Sequence, residues 1–122
     1  MAFRVEIAPE ALDDLDGVSA YIGARASFTI AEQWFNGIFA AIRTLAEMPY
    51  RCPVAEESVE LKTEVRLLLY GRRNRRYKIY FAVREETRAV RVFHVRHWAM
   101  KPIDADELED LEDLMNEARE TD

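Results

Sequence analysis

The hydrophobic period changes once along this chain, and that change restricts its fold more than any other feature. Between Pro9 and Pro49, apolar side chains recur at steps of three and four residues, which is the spacing of one helix face. Between Glu64 and His97, apolar and polar side chains mostly alternate, which is the period of a strand. Helices followed by strands within 122 residues predict one α+β domain.

Local signals divide these two regions into elements. Thr29 followed by Glu32 matches a capping box and predicts the start of a second helix, which Pro49 and Pro53 prevent from continuing. Only short separators divide the two helices and the later strands, so both sets are expected to be antiparallel. The predicted elements are a strand at 4–7, helices at 9–24 and between Thr29 and Pro49, strands at 64–70, 76–83 and 89–97, and a helix at 104–120.

The predicted fold is an antiparallel two-helix hairpin packed on an antiparallel sheet, in the order β-α-α-β-β-β. Residues 1–103 form this domain, and residues 104–122 form an acidic amphipathic helix attached to it. In the middle strand of the meander, Tyr77 and Ile79 belong to the face that packs on the helices. Lys78 and Tyr80 belong to the other face, which is expected to be basic and aromatic.

Charge is strongly segregated along the chain, although the formal net charge is only −6. Residues 1–61 hold four basic and ten acidic side chains, residues 62–101 hold twelve basic and three acidic ones, and residues 102–122 hold one basic and ten acidic ones. The basic middle segment predicts a surface that binds an acidic partner or phosphates. No recognition helix accompanies it, so a sequence-specific DNA reader is not expected.

Several classes of protein are disfavoured by the residues that the sequence lacks. No apolar run reaches the length of a membrane span, and the amino terminus shows no signal-peptide pattern, so a cytoplasmic location is expected. A single cysteine, Cys52, allows no internal disulfide, and the two histidines, His94 and His97, do not have the spacing of zinc ligands. We therefore expect neither a metal nor a cofactor.

Across residues 3–103 the order of these elements and several short motifs resemble the RelE/ParE toxin superfamily of type II toxin–antitoxin systems, and the ParE-like branch is favoured. No single motif is specific, but their order and spacing together are. The motifs are Pro9-Glu10-Ala11-Leu12-Asp13-Asp14-Leu15, Tyr21-Ile22, Ala31-Glu32, Ala41-Ile42, Leu45, Met48-Pro49, Glu64-Val65-Arg66, Tyr77-Lys78-Ile79-Tyr80-Phe81-Ala82-Val83, Val90-Arg91-Val92, Val95 and His97.

The resemblance implies a toxin of the plasmid-stabilisation type that a small antitoxin neutralises by binding. ParE-like members inhibit DNA gyrase without chemistry of their own, and this is the favoured function. RelE-like members cleave messenger RNA on the ribosome, and this is the alternative. A third possibility is an inactive or solitary member that acts only as a binding module, and a homodimer is also possible.

Under the RNA-cleaving alternative, the resemblance assigns the chemistry to Arg66, Lys78, Arg96 and His97. Cleavage requires cations near the phosphate and a group that titrates near neutral pH, and these residues could supply both. Two departures weaken this alternative. Met100 stands where the family often has an arginine, with Lys101 as a possible substitute, and the tail contains no tyrosine or histidine.

A second set of residues is predicted to bind the target or the antitoxin. Four arginines crowd one predicted hairpin, and such a cluster suits either phosphates or an acidic protein. His94 is predicted to point away from His97, because the two are three residues apart on one strand. The predicted binding residues are Arg72, Arg73, Arg75, Arg76, Tyr80 and Lys101.

Overall fold

The computed structural model describes residues 2–61, 63–72 and 76–97. The helix predicted at 104–120 and the predicted binding residues Arg73, Arg75 and Lys101 lie outside the described residues. No helix in the described part is both long and apolar enough to span a membrane. The elements are β1 (Arg4–Ile7), α1 (Pro9–Arg25), α2 (Phe28–Arg43), a short α3 (Ser58–Leu61), β2 (Arg66–Tyr70), β3 (Tyr77–Arg84) and β4 (Ala89–His97), with 3-10 turns at Thr44–Ala46 and Pro49–Arg51.

The four strands form one sheet in the order β1-β4-β3-β2. β2, β3 and β4 are an antiparallel meander, and β1 pairs in parallel with β4 from Arg4 opposite Ala89 to Ile7 opposite Val92. The predicted α+β class and element order are confirmed. The sheet is mixed rather than wholly antiparallel, because the helix hairpin carries the chain away from β1 before the meander returns beside it.

The helix hairpin packs on one face of the sheet and forms the main core with it. Ala11 and Leu15 of α1 and Ile38 and Ile42 of α2 are buried, which is the stripe that the helical period predicts. On the sheet they meet side chains of β3 and β4, and a register shift between Tyr80 and Phe81 brings Val92 and Val95, three residues apart, to the same face. These buried sheet residues are Ile79, Phe81, Val90, Val92 and Val95.

The start of α2 differs from the prediction. Ser27, not Thr29, is the N-cap, and its hydroxyl oxygen accepts a hydrogen bond from the Ile30 amide at 3.1 Å. Serine caps a helix at least as well as threonine, so the helix starts two residues earlier and includes Phe28 and Thr29. The predicted capping box at Thr29 is therefore wrong, because Thr29 lies inside the helix.

The second face of the sheet is partly covered by a smaller core, which the predicted basic and aromatic character of that face did not indicate. Tyr80 is only 1% exposed and lies in a smaller core with Ala82 and Phe93. The segment between α2 and β2 folds under the sheet and covers them with Ala55, Leu61 and Val65. That segment has no clear hydrophobic period, so the sequence pattern gave no sign that it would cover this face.

Gly17 lies in the middle of α1, and a Cβ added there would meet no atom within 4 Å. Gly17→Ala is expected to stabilise the protein by about 0.5–1 kcal/mol, because glycine loses more backbone entropy in a helix than alanine does. Urea unfolding followed by circular dichroism measures this difference.

Gly37 of α2 provides the matched control, because it too is a helical glycine. A Cβ there would overlap the Tyr70 hydroxyl oxygen of β2. Gly37→Ala is therefore expected to destabilise the protein. Equal stabilisation by both substitutions would contradict the close approach of α2 to Tyr70.

Candidate partner-binding groove

The edge of β4 that faces β1 is paired only along half of its length. β1 ends at Ile7, and the Ala8 amide bonds to the Val92 carbonyl at 2.8 Å before α1 begins. Beyond this point α1 lies beside the edge. The Asp14 carboxylate accepts a hydrogen bond from the Val95 amide at 3.0 Å and lies 3.1 Å from His94 Nδ1. It thus provides a partner for the Val95 amide, which β1 is too short to reach.

Further along, α1 and the sheet separate and leave a groove of about 1030 Å³. The groove lies between the second half of α1, the beginning of α2 and the strand ends at Tyr77 and His97. Gly17 of α1 lines the groove, and the groove is wider there because glycine has no side chain. The apolar and aromatic lining residues are Val18, Tyr21, Ile22, Ala26, Ile30, Trp34, Tyr77 and Val95.

The inner end of the groove is an aromatic cluster. The Tyr77 ring lies 5.2 Å from Trp34 and 5.2 Å from His97, with edge-to-face geometry in both pairs. Such pairs hold the rings in place, so this wall is preformed. At the outer end, the Arg25 guanidinium lies 4.9 Å above the Tyr21 ring. Tyr21 is 57% exposed and Ile30 is 48% exposed, so large apolar surface faces solvent here.

The groove also has two acidic side chains, Asp13 and Asp14, two arginines, Arg25 and Arg96, and the histidines His94 and His97. A mostly apolar slot with polar groups of mixed sign around it suits the apolar face of an amphipathic helix. Within the described residues, no cluster of three or more histidine, cysteine or acidic side chains could hold a metal ion.

A family model described as the ParE toxin of the type II toxin–antitoxin system parDE matches residues 5–102. The chain belongs to the ParE toxin family. The resemblance to the RelE/ParE superfamily inferred from the sequence is thereby confirmed.

Among solved structures, this ParE-family chain is similar to one described as a chromosomal ParDE TA system from P. aeruginosa. The sequences are 14% identical, the TM-score is 0.64, and the match covers 79% of this chain and 96% of the other. At this identity the likeness shows a shared fold. No curated protein matches the chain.

The four residues predicted for RNA cleavage do not share one face of this ParE-family sheet. Arg66 lies opposite Phe81 and His97 lies opposite Tyr77, so both belong to the face that carries the helices. Lys78 and Arg96 lie opposite each other on the other face. Arg66 and His97 are also four positions apart in register, which is roughly 13 Å along the strands.

Two of these four residues, Arg66 and Arg96, are held by contacts or burial within the fold. Arg66 Nη1 donates to the Cys52 carbonyl at 2.6 Å and to the Tyr50 carbonyl at 3.3 Å, while Nε pairs with Glu64 at 2.9 Å. Arg96 is only 6% exposed. Arg66 therefore fixes the turn before Pro53 to β2, and Arg96 presents little surface to a substrate.

The residues predicted to bind a partner have separate positions. Arg72 is exposed in the turn that follows β2, whereas Arg76 is half-buried just before β3. Tyr80 is buried in the second core beneath Ala55, Leu61 and Val65, so its role as a contact residue stays a prediction. The predicted separation of His94 from His97 agrees with the register, since His94 stacks on Tyr80 and His97 contacts Tyr77.

The Tyr80 hydroxyl donates to the Glu57 carboxylate at 2.8 Å, and this bond joins the covering segment to the sheet. Burial and this hydrogen bond raise the pKa of Tyr80. Tyr80→Phe is expected to destabilise the protein by about 1–2 kcal/mol, because it removes a partly buried hydrogen bond to a charged group. The difference in unfolding free energy between the variant and wild type, measured in urea, tests this.

Tyr50 is the control for this substitution because its hydroxyl also donates to a carboxylate, that of Glu85. The hydrogen bond to Glu85 and some loss of hydration raise the pKa of Tyr50 to about 12. Tyr50 is exposed, so Tyr50→Phe is expected to cost less than about 0.5 kcal/mol. Equal costs for the two substitutions would mean that Glu57 does not anchor the covering segment.

Sequence reasoning missed the residues that shape the groove. Asp14 was named only within a motif of the family resemblance, and neither Gly17 nor Trp34 was singled out. A glycine in the middle of an otherwise regular helix was the available signal, because it costs stability unless space is needed there.

Proposed function

We propose that this ParE-family chain is the toxin half of a type II toxin–antitoxin pair and stops growth by inhibiting DNA gyrase through protein contact. We further propose that it acts in the cytoplasm and that a small antitoxin neutralises it by binding in the groove. The family match supports the toxin assignment. The apolar groove, with Tyr21 and Ile30 exposed along it, supports binding of the apolar face of a protein helix.

The observation that carries this proposal is the division of the four cleavage candidates between the two faces of the sheet. General acid–base cleavage requires the base, the acid and the cations to lie within hydrogen-bonding distance of one phosphate. Arg66 and His97 are on the helix face, and Lys78 and Arg96 are on the other. This arrangement favours inhibition by contact over RNA cleavage.

The purified protein should inhibit supercoiling by DNA gyrase and leave messenger RNA on translating ribosomes intact. A variant with both Lys78→Ala and His97→Ala provides the sharpest comparison, because it removes one cleavage candidate from each face. Inhibition of gyrase by both proteins supports the proposal. Cleavage of ribosome-bound messenger RNA by wild type, and its loss in the double variant, would replace it with the nuclease alternative.

In growing bacteria, induction of the protein without its antitoxin should stop DNA synthesis before protein synthesis, as pulse labelling of both would show. An immediate arrest of protein synthesis would overturn the gyrase proposal. Normal growth with the soluble protein at a verified high level would support instead an inactive member that only binds a partner.

A further inference from the structure

Large apolar side chains remain exposed along the groove. Tyr21 and Ile30 line it from its two helices, and Phe28, the first residue of α2, is 78% exposed. On a single chain, apolar side chains grouped in this way usually mark a surface that another segment covers. Covering the groove would therefore stabilise the free protein as well as a complex.

The chain leaves the sheet at the wall of this groove. His97 is the last residue of β4 and also lines the groove, as Val95 and Arg96 do. Six residues, 98–103, separate it from the helix that the sequence predicts at 104–120. Six residues span at most about 20 Å when fully extended. The predicted helix is thus tethered close enough to lie in the groove.

The acidic tail, residues 104–122, has one narrow apolar face. Leu108, Leu111 and Met115 recur at steps of three and four residues, so a helix places them on one side. The family model ends at residue 102, so the fold that the family shares does not account for this face. An amphipathic helix with one apolar face is a suitable occupant for an apolar groove.

The charges around the groove favour an acidic occupant. Its strand wall belongs to residues 62–101, which hold twelve basic and three acidic side chains, and Arg25 is exposed at its outer end. Of the two acidic groups in the groove, Asp14 already binds the Val95 amide. The acidic groups of the tail are therefore expected to lie towards Arg25 and away from Asp13.

We propose that the acidic tail docks in the groove of its own chain when no partner is bound, with Leu108, Leu111 and Met115 against the apolar lining. A short linker gives the tail an effective concentration of the order of millimolar, which the tail of a second copy does not reach in dilute solution. A partner helix must displace the tail before it binds. Only this competition with the antitoxin rests on the proposed function.

A spin label on the tail tests the docking in the full chain. Glu117→Cys carries the label on the acidic side of the predicted helix, and the buried Cys52 is replaced by alanine. In NMR spectra the label should broaden the amide signal of Ile30 strongly. It should broaden the signal of Arg43 much less, because Arg43 is at the other end of α2, about 20 Å from Ile30.

Two double variants show which face of the tail makes the contact. Leu108→Ser with Leu111→Ser removes the apolar face and should abolish the broadening. Asp110→Ser with Asp113→Ser alters the opposite side and should preserve it. Equal broadening at both ends of α2, or broadening that survives loss of the leucines, would overturn the inference. So would equal broadening in a mixture of isotope-labelled chains and separate spin-labelled chains, because a second copy would then supply the tail.

The same double variants test the competition at the groove. If the tail fills the groove for about nine-tenths of the time, the antitoxin binds about ten-fold more weakly than it would to an empty groove. Loss of the two leucines should recover this factor, and loss of the two aspartates should change affinity by less than about two-fold, as calorimetry with the small protein encoded beside the toxin would show.

These outcomes are separate from the test of the proposed function. Inhibition of gyrase by a chain that shows no broadening at Ile30 would overturn only the docking of the tail. Broadening at Ile30 with unchanged antitoxin affinity in the leucine variant would support the docking and remove the antitoxin from the groove.

Discussion

Gly17→Trp is expected to weaken binding of the antitoxin by at least about 100-fold while leaving the fold and the toxicity intact. A Cβ at position 17 meets no atom within 4 Å, so the new side chain enters the groove without displacing a core residue. Its indole would occupy space that the partner's helix needs. Loss of contacts at the centre of such an interface commonly costs about 2–4 kcal/mol, and about 2.8 kcal/mol corresponds to a factor of 100.

Asp16→Trp is the matched control, because Asp16 is the exposed neighbour of Gly17 and does not line the groove. It adds the same side chain to the same helix and is expected to leave antitoxin affinity unchanged. Affinities can be measured by calorimetry with the small protein encoded beside the toxin. If Gly17→Trp binds that protein as tightly as wild type does, the antitoxin does not use the groove.

The prediction of the elements from sequence succeeded where the signal is local. The stripe of Leu15, Ile38 and Ile42 and the alternation in β3 and β4 are set by neighbours a few residues away, and both appear in the structure. Helix boundaries were less certain, since Ser27 and Thr29 compete as caps within one turn. Which of the two residues caps α2 depends on the path of the chain after α1, and the sequence pattern does not show this path.

The groove and the second core could not be predicted, because both depend on contacts between distant parts of the chain. Asp14 matters because β1 is only four residues long and leaves the Val95 amide without a strand partner. Tyr80 is buried because Ala55 and Val65, from an irregular segment, fold beneath it. Neither fact follows from the periodicity of α1 or of β3.

Arg66→Ala is expected to destabilise the protein by about 2–3 kcal/mol, although resemblance to nucleases assigned this residue to chemistry. Its guanidinium is mostly buried, bonds the Cys52 and Tyr50 carbonyls, and lies 5.0 Å above the Tyr50 ring. Removing it leaves the partly buried Cys52 carbonyl without its charged donor, and a charge-assisted hydrogen bond of this kind contributes about 1.5–3 kcal/mol. Urea unfolding of the variant and of wild type measures the difference.

The stabilities of two further variants, Arg66→Lys and Arg72→Ala, show whether the hydrogen bonds of Arg66 or only its positive charge stabilise the protein. Lysine keeps the charge but lacks the planar fork that reaches two carbonyls and a carboxylate together, so most of the stability should still be lost. Arg72 is an exposed arginine at the other end of β2, and its removal should change stability by less than about 0.5 kcal/mol. If Arg66→Lys were as stable as wild type, the position would require only a positive charge, and the case for catalysis at Arg66 would reopen.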